Sequence, residues 1–264
     1  MITIYLKGGL GNQMFQYAYG RSQSLRKKTK LLLDLSDLLF PLYLRNKETP
    51  RTYALECFNI QARIYAPTTN PLVLQYNRKF YEWISHKERS FHNENNFLVH
   101  SSIIRTDFTL RSPLGPKAES IKTPIEQTPD SVSLHIRRGD YVGDPATNAH
   151  HGVLGLDYYH EAQAYIKNTV ACPTFFIFSD DISWVKENLK IDSPTVFVSC
   201  PEIQDYEELI LMSLCNHHII ANSSFSWWGA WLNQNINKIV IAPKQWVKNP
   251  TLHKDICPPE WIRL

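Results

Sequence analysis

Nowhere in this sequence do apolar residues run for anything near the roughly 18 positions that a membrane-spanning helix requires, so any membrane contact is expected to be peripheral. The features of a secretion leader are missing as well, because Met1 leads straight into Ile2-Thr3-Ile4-Tyr5-Leu6 and a glycine turn. Cysteine is sparse. Cys57, Cys172, Cys200, Cys215 and Cys257 are odd in number and widely spaced, with no C-x-x-C pair, which argues against a disulfide framework, a zinc site or a redox couple. Reduced thiols in a cytoplasmic setting are expected, with the inner face of the membrane as the outer limit. A strong charge of one sign is also lacking: 28 basic and 25 acidic residues leave a net +3, too little for a nucleic-acid footprint. Any anion has to be bound locally.

What remains is an ordinary folding composition. With 43% hydrophobic and 20% charged residues, the 264-residue chain lies far from the disordered corner and can bury one large core or two smaller ones. In the second half, short β-rich apolar runs alternate with helical segments, the pattern of a parallel sheet in an α/β domain. Strands are expected at 132–136, 174–178, 195–198, 218–221 and 238–242, and helices at 157–170, 181–189, 205–215 and 223–236. The first half opens as a second βαβ unit, with strands at 2–6 and 30–34 around a helix from about 13 to 27. Residues 35–108 carry mixed, aromatic-rich signals and receive no assignment. Pro113, Pro116, Pro124 and Pro129 read as a connector without a continuous helix over 111–129. The domain boundary is placed within it, giving domains 1–120 and 121–264.

Four motifs fall at turns between strands and helices. Gly8-Gly9-Leu10-Gly11-Asn12-Gln13-Met14 would aim backbone N–H groups and a helix N-terminus at an anion. It is neither a Walker loop nor a dinucleotide fingerprint, since no Gly-Lys-Ser/Thr follows and Met14 stands where a third glycine would be. His135-Ile136-Arg137-Arg138-Gly139-Asp140-Tyr141 ends a strand with two adjacent guanidiniums, whose planar forks suit phosphate. A surface ion pair with Asp140 is the structural alternative. In Phe178-Ser179-Asp180-Asp181, either aspartate could simply cap the next helix. Asn222-Ser223-Ser224-Phe225-Ser226-Trp227-Trp228-Gly229 puts small hydroxyls at a helix start, where Ser223 could equally be a plain N-cap. Trp227, Trp228 and Trp231 share a helical spacing and read as core rather than as a sugar platform. Together the motifs describe a pocket for a nucleotide diphosphate held by protein donors. The alternative charge-neutralising device, a D-x-D pair for a divalent metal, does not occur in the sequence.

These four blocks, in this order and at this spacing along nearly the whole chain, resemble the α-1,2-fucosyltransferases of glycosyltransferase family 11. The resemblance implies a GT-B architecture: two Rossmann-like domains facing across a cleft, the C-terminal one binding GDP-fucose and the N-terminal one receiving the acceptor. It implies that Arg137 meets the β-phosphate, that His135 lies beside the nucleotide, and that Arg138 and Asp140 support the same loop. Gly11 and Asn12 match a loop that closes on the diphosphate, and Asn12 joins Arg137 as a catalytic candidate. Glu208 matches a carboxylate that reads guanine N1 and N2, and Ser223 and Ser224 match contacts to ribose or phosphate. The implied reaction is an inverting, metal-free transfer of L-fucose to the 2-hydroxyl of a galactose-terminated oligosaccharide or glycolipid. His92, Glu94, Asp107 and Asp140 are the candidates for its base. Transfer of another GDP-sugar, or binding of GDP or glycan without turnover, are the alternatives.

Overall fold

The computed structural model describes residues 1–39, 51–67, 91–143, 148, 152–248 and 256–264, apart from the side chains of Asp140 and Tyr141. The chain divides into two compact units, Met1–Ser112 and Pro113–Leu264. Both are α/β with parallel sheets. No described helix is long and apolar enough to cross a membrane.

In the first unit, β1 (Ile2–Tyr5) leads through the glycine turn into α1 (Leu10–Arg26), and the chain returns as β2 (Leu31–Asp34), parallel to β1 with Ile2 opposite Leu31. A third parallel strand, β3 (Arg63–Tyr65), flanks β2 and falls in the region left unassigned from sequence. Gly8 sits at φ +75°, a conformation that glycine adopts without the Cβ penalty. Beyond it, α2 (Ser101–Asp107) closes the unit, and its last carboxylate is buried: Asp107 accepts from Tyr17 Oη at 2.7 Å and Arg21 Nε at 2.8 Å.

The second unit begins with α3 (Pro116–Gln127) and β4 (Ser131–Ile136), followed by a short helix at Gly139–Gly143. Next come α4 (Leu156–Thr169), β5 (Thr174–Ser179), α5 (Ile182–Asn188), β6 (Thr195–Phe197) and α6 (Asp205–Leu214). It finishes with β7 (His217–Ile219), α7 (Ser224–Leu232), β8 (Val240–Ala242) and β9 (Ile262–Arg263). The sheet order is β6-β5-β4-β7-β8-β9, with every pair parallel. Counted from β4, this is the 3-2-1-4-5-6 order of a doubly wound nucleotide-binding fold.

Both faces of this sheet are covered, which explains its near-continuous apolar strands. On β5, Phe175 and Ile177 join Val132, Leu134 and Ile136 of β4 against Tyr159, Ala162 and Ile166 of α4. Phe176 and Phe178 point the other way, onto Ala118 and Ile125 of α3 and Leu211 and Met212 of α6. Each such fully buried side chain contributes about 1.5–3 kcal/mol relative to exposure. The other face of β4 is polar yet buried. There Ser133 Oγ lies 2.7 Å from His218 Nδ1, and Asn233 Nδ2 lies 2.7 Å from His218 Nε2, so that neutral ring bridges strand and helix end. Burial pushes its pKa well down.

Two expectations are corrected. Residues 116–127 are a continuous helix, because Pro116 stands at its first turn, where an N–H would have no partner, and burial of Ala118 and Ile125 holds the turns around Pro124. A boundary at 120/121 would fall inside this helix, which belongs whole to the second unit. The helix expected over 223–236 stops at Leu232 instead. Asn233 leaves the helical conformation (ψ 126°) and donates to the Cys215 carbonyl at 2.7 Å, while Lys238 Nζ takes the Ala230 carbonyl at 2.9 Å.

Candidate functional site

The strand order of the second unit reverses between β4 and β7, so their connections leave the carboxyl edge in opposite directions and open a crevice there. His135, Arg137 and Arg138 lie at the end of β4, and Ser223 and Ser224 follow β7. His135 is 4% exposed, with its ring centroid 5.6 Å from that of Phe225 on α7. Burial, with the Arg137 charge adding, pushes its pKa down to about 3, so the ring is neutral near pH 7. Its Nδ1 is buried with no protein hydrogen-bond partner, a placement that costs about 1–3 kcal/mol unless a ligand supplies one.

The two arginines part company. Arg138 is braced inward: its N–H donates to Asp180 Oδ1 at 2.8 Å, its Nε lies 3.2 Å from Asp181 Oδ2, and its guanidinium stacks 3.5 Å from the Trp184 ring centroid. Arg137 meets Asp180 Oδ2 through one nitrogen at 2.8 Å, with a quarter of each side chain exposed (25% and 25%). Gly139 leaves room beside them, since a Cβ there would displace the same Asp180 carboxylate. The Asp140 side chain lies outside the described residues. Asp181 caps α5 by accepting from Trp184 N–H at 3.1 Å, as the sequence allowed, whereas Asp180 proves to be the carboxylate that orders the arginine loop.

At the facing edge, Asn222 is buried and its Nδ2 donates to the carbonyls of Gly152 at 3.2 Å and Trp246 at 3.4 Å, fixing the exit from β7. Ser223 is the N-cap of α7 and accepts from Phe225 N–H at 3.3 Å. Ser224 opens the helix, half-buried, at the positive end of the dipole. Trp227, Trp228 and Trp231 are core, as expected; Trp227 Nε1 donates to the Ile256 carbonyl at 3.0 Å.

Glu208 is half-buried on the first turn of α6. Burial pushes its carboxyl up to about 7, the charges of Asp205 and Asp180 add to this, and a hydrogen bond from Ser199 opposes it. Ser199 in turn accepts from Ser179 N–H at 2.9 Å, which ties Glu208 to the end of β5. The structure thus gathers His135, Arg137, Arg138, Glu208, Ser223 and Ser224 along one edge of one sheet. Among the described residues, no three His, Cys, Asp or Glu side chains cluster as a metal would require.

In the first unit, Gly11 and Asn12 stand in the first turn of α1, and Asn12 Oδ1 lies 3.1 Å from His92 Nε2. Of the base candidates, Asp107 is taken up by Tyr17 and Arg21, and Glu94 is buried within the electrostatic reach of Arg105. The half-buried ring of His92 has its pKa pushed down to about 4 by desolvation and by Lys7.

Sequence reasoning named Asp180 only as a possible cap and missed Ser199, Tyr158 and Tyr159. Tyr158 Oη donates to the Ile220 carbonyl at 2.6 Å, and buried Tyr159 bonds the Arg137 backbone, so α4 anchors both strand ends that flank the crevice. Two adjacent tyrosines at the start of a core-facing helix were the available signal, since a buried phenol needs a polar partner.

Comparisons with known proteins bear on the family and the fold. The sequence profile described as glycosyl transferase family 11 matches residues 1–264. The chain is 32% identical over 302 residues to the O-antigen biosynthesis glycosyltransferase WbnK of Escherichia coli, covering 98% of this chain and 99% of that protein. It is 33% identical over 292 residues to an alpha-1,2-colitosyltransferase of Escherichia coli, covering 100% and 99%. To galactoside alpha-(1,2)-fucosyltransferase 1 of Alouatta belzebul the identity is 25% over 254 residues, covering 87% of this chain and 64% of that one. In fold it is similar to the fucosyltransferase NodZ from Bradyrhizobium, with a TM-score of 0.54 at 13% identity over 86% of this chain and 91% of the other. With the α/β units, the nucleotide-binding strand order and a family profile matched from end to end, this chain is a GT-B glycosyltransferase and belongs to glycosyl transferase family 11.

Proposed function

We propose that this enzyme transfers L-fucose from GDP-fucose to the 2-hydroxyl of a galactoside, with inversion and without a metal. The observation that carries the reading is Arg137 at the carboxyl end of β4, on the switch-point crevice and steered by Asp180. A sugar leaving from C1 pushes charge onto the β-phosphate, and a preorganised guanidinium stabilises that charge most in the transition state. The α7 N-terminus with Ser223 and Ser224 adds N–H dipoles on the other side of the crevice. His135 Nδ1 is left to the nucleotide, and Glu208 is the acceptor for guanine N1 and N2. Gly11 and Asn12, in the first turn of α1, are proposed as further participants in transfer. The reaction is a single displacement: the acceptor oxygen attacks C1 as the C1–O bond to GDP breaks.

A second reading shares every part of this site except the sugar pocket. Colitose is L-fucose without its 3-hydroxyl, and the colitosyltransferase relative favours it as the transferred sugar. A pocket built to hydrogen-bond the 3-hydroxyl rejects the deoxy sugar by about 10⁴–10⁵, whereas an apolar pocket rejects the hydroxyl by only about 10². Measuring kcat/KM with GDP-fucose, GDP-colitose and GDP-mannose separates the readings. Fucose transfer is expected to lead by orders of magnitude; preferred turnover of GDP-colitose would install the second reading, and preferred turnover of GDP-mannose would sink both.

A further inference from the structure

Asn12 can present either end of its carboxamide to a ligand, and the two ends are chemical opposites, a donor and an acceptor. Something must choose between them. Asn12 is the third residue of α1, and its Oδ1 lies 3.1 Å from Nε2 of His92, a residue far along the chain. The His92 ring is itself wedged, with its centroid 4.9 Å from that of Phe15 one turn along the same helix. On the other side, Asn12 Nδ2 lies over Gly8, where an added Cβ would come within 2.7 Å of it. The carboxamide is therefore held between a ring that takes its oxygen and a glycine that leaves room for its nitrogen.

We infer that His92 is a positioning residue: by donating Nε2–H to Asn12 Oδ1, it fixes which end of the Asn12 carboxamide faces the glycine turn. This rests on the reading of Asn12 as a participant in transfer. It also removes His92 from the base candidates through this nitrogen, because Nε2 already carries the proton it donates. The depressed basicity of the half-buried ring agrees.

A double-mutant cycle tests the role. The full chain and its His92→Phe, Asn12→Ala and combined variants are assayed with GDP-fucose and a β-galactoside, or with GDP-colitose if that donor gives turnover, beside their thermal midpoints. His92→Phe should lower kcat on the order of tenfold while the acceptor KM moves less. His92→Gln, which can still donate, should recover most of that loss. In the Asn12→Ala background, His92→Phe should cost nothing further. Equal losses from His92→Phe with and without Asn12, or near-parental kcat in folded His92→Phe, would overturn the positioning role alone. Parental kcat in Asn12→Ala would overturn the underlying reading of Asn12 as well. Should His92→Phe fail to fold, His92→Met takes its place in the same cycle.

Discussion

Arg137 meets Asp180 across the ends of β4 and β5 with a quarter of each side chain exposed (25% and 25%), and a pair so placed contributes at most about 1 kcal/mol to stability. Its effect is on direction. Asp180 accepts from the Arg138 backbone with one oxygen and from the Arg137 guanidinium with the other, so one carboxylate sets both the loop and the cation. Arg137→Lys keeps the charge but loses the fork, and is expected to lower kcat about 10²–10³-fold with a smaller change in the donor KM. Arg137→Ala should be worse. Asp180→Asn keeps the shape and should cost less rate than either, because the guanidinium remains. Steady-state kinetics beside thermal midpoints decide: near-normal kcat in folded Arg137→Ala would end the leaving-group role, and a rate in Asp180→Asn as low as in Arg137→Ala would leave Arg137 a mere brace. The arginine pair was legible in the sequence because its residues are adjacent. Asp180 was legible only as a helix cap, because its partner lies on the next strand and parallel pairing leaves no local spacing to read.

Among the elements, α6 links the crevice to pH. Glu208, raised to about 7 in the folded protein against an ordinary 4.5, holds a proton that the unfolded chain has released between those values. Its contribution to stability is therefore present below about pH 4.5 and lost as pH rises through 7. His135 acts in the opposite sense: depressed to about 3 from 6.5, it leaves the folded state short of a proton in that window and destabilises it as pH falls below 6.5. In the proposed contact guanine N1 and N2 donate to an ionised Glu208 carboxylate, so GDP should bind more weakly as pH falls below about 7. Calorimetry at mildly acidic and mildly alkaline pH should show this as a loss on the order of tenfold. Glu208→Gln isolates the carboxyl from the titration of the GDP phosphate; it should flatten that part of the pH dependence and cost about 1.5–3 kcal/mol at high pH. Parental GDP affinity and pH profile in this variant would show that the carboxylate does something else. Helix α6 itself could be read from its acidic first turn and apolar face. Helix α3 could not, since Pro124 inside it defeats a propensity reading that does not know which side of the helix is packed. Strands β3 and β9, three and two residues long, are too short to show a period.

For the whole molecule, the alternation of strands and helices announced two α/β halves. It could not announce the strand order, which depends on which neighbours pair. That order places the ends of β4 and β7 side by side, and with them the arginine and serine motifs that the sequence keeps far apart. The motifs named the chemistry and the topology supplies the place. What stays beyond sequence reasoning is the sugar, since fucose and colitose differ by one hydroxyl and a diphosphate site reads neither. The most direct test of a metal-free, inverting fucosyl transfer is the product itself. The full chain is incubated with GDP-β-L-fucose and a β-galactoside in excess EDTA, and the purified product is examined by NMR for anomer and linkage. An α-fucosyl residue on galactose O2, formed at an undiminished rate under chelation, is the expected result. A β-linked product, attachment at another hydroxyl, or activity that returns only with Mg²⁺ or Mn²⁺ would contradict it.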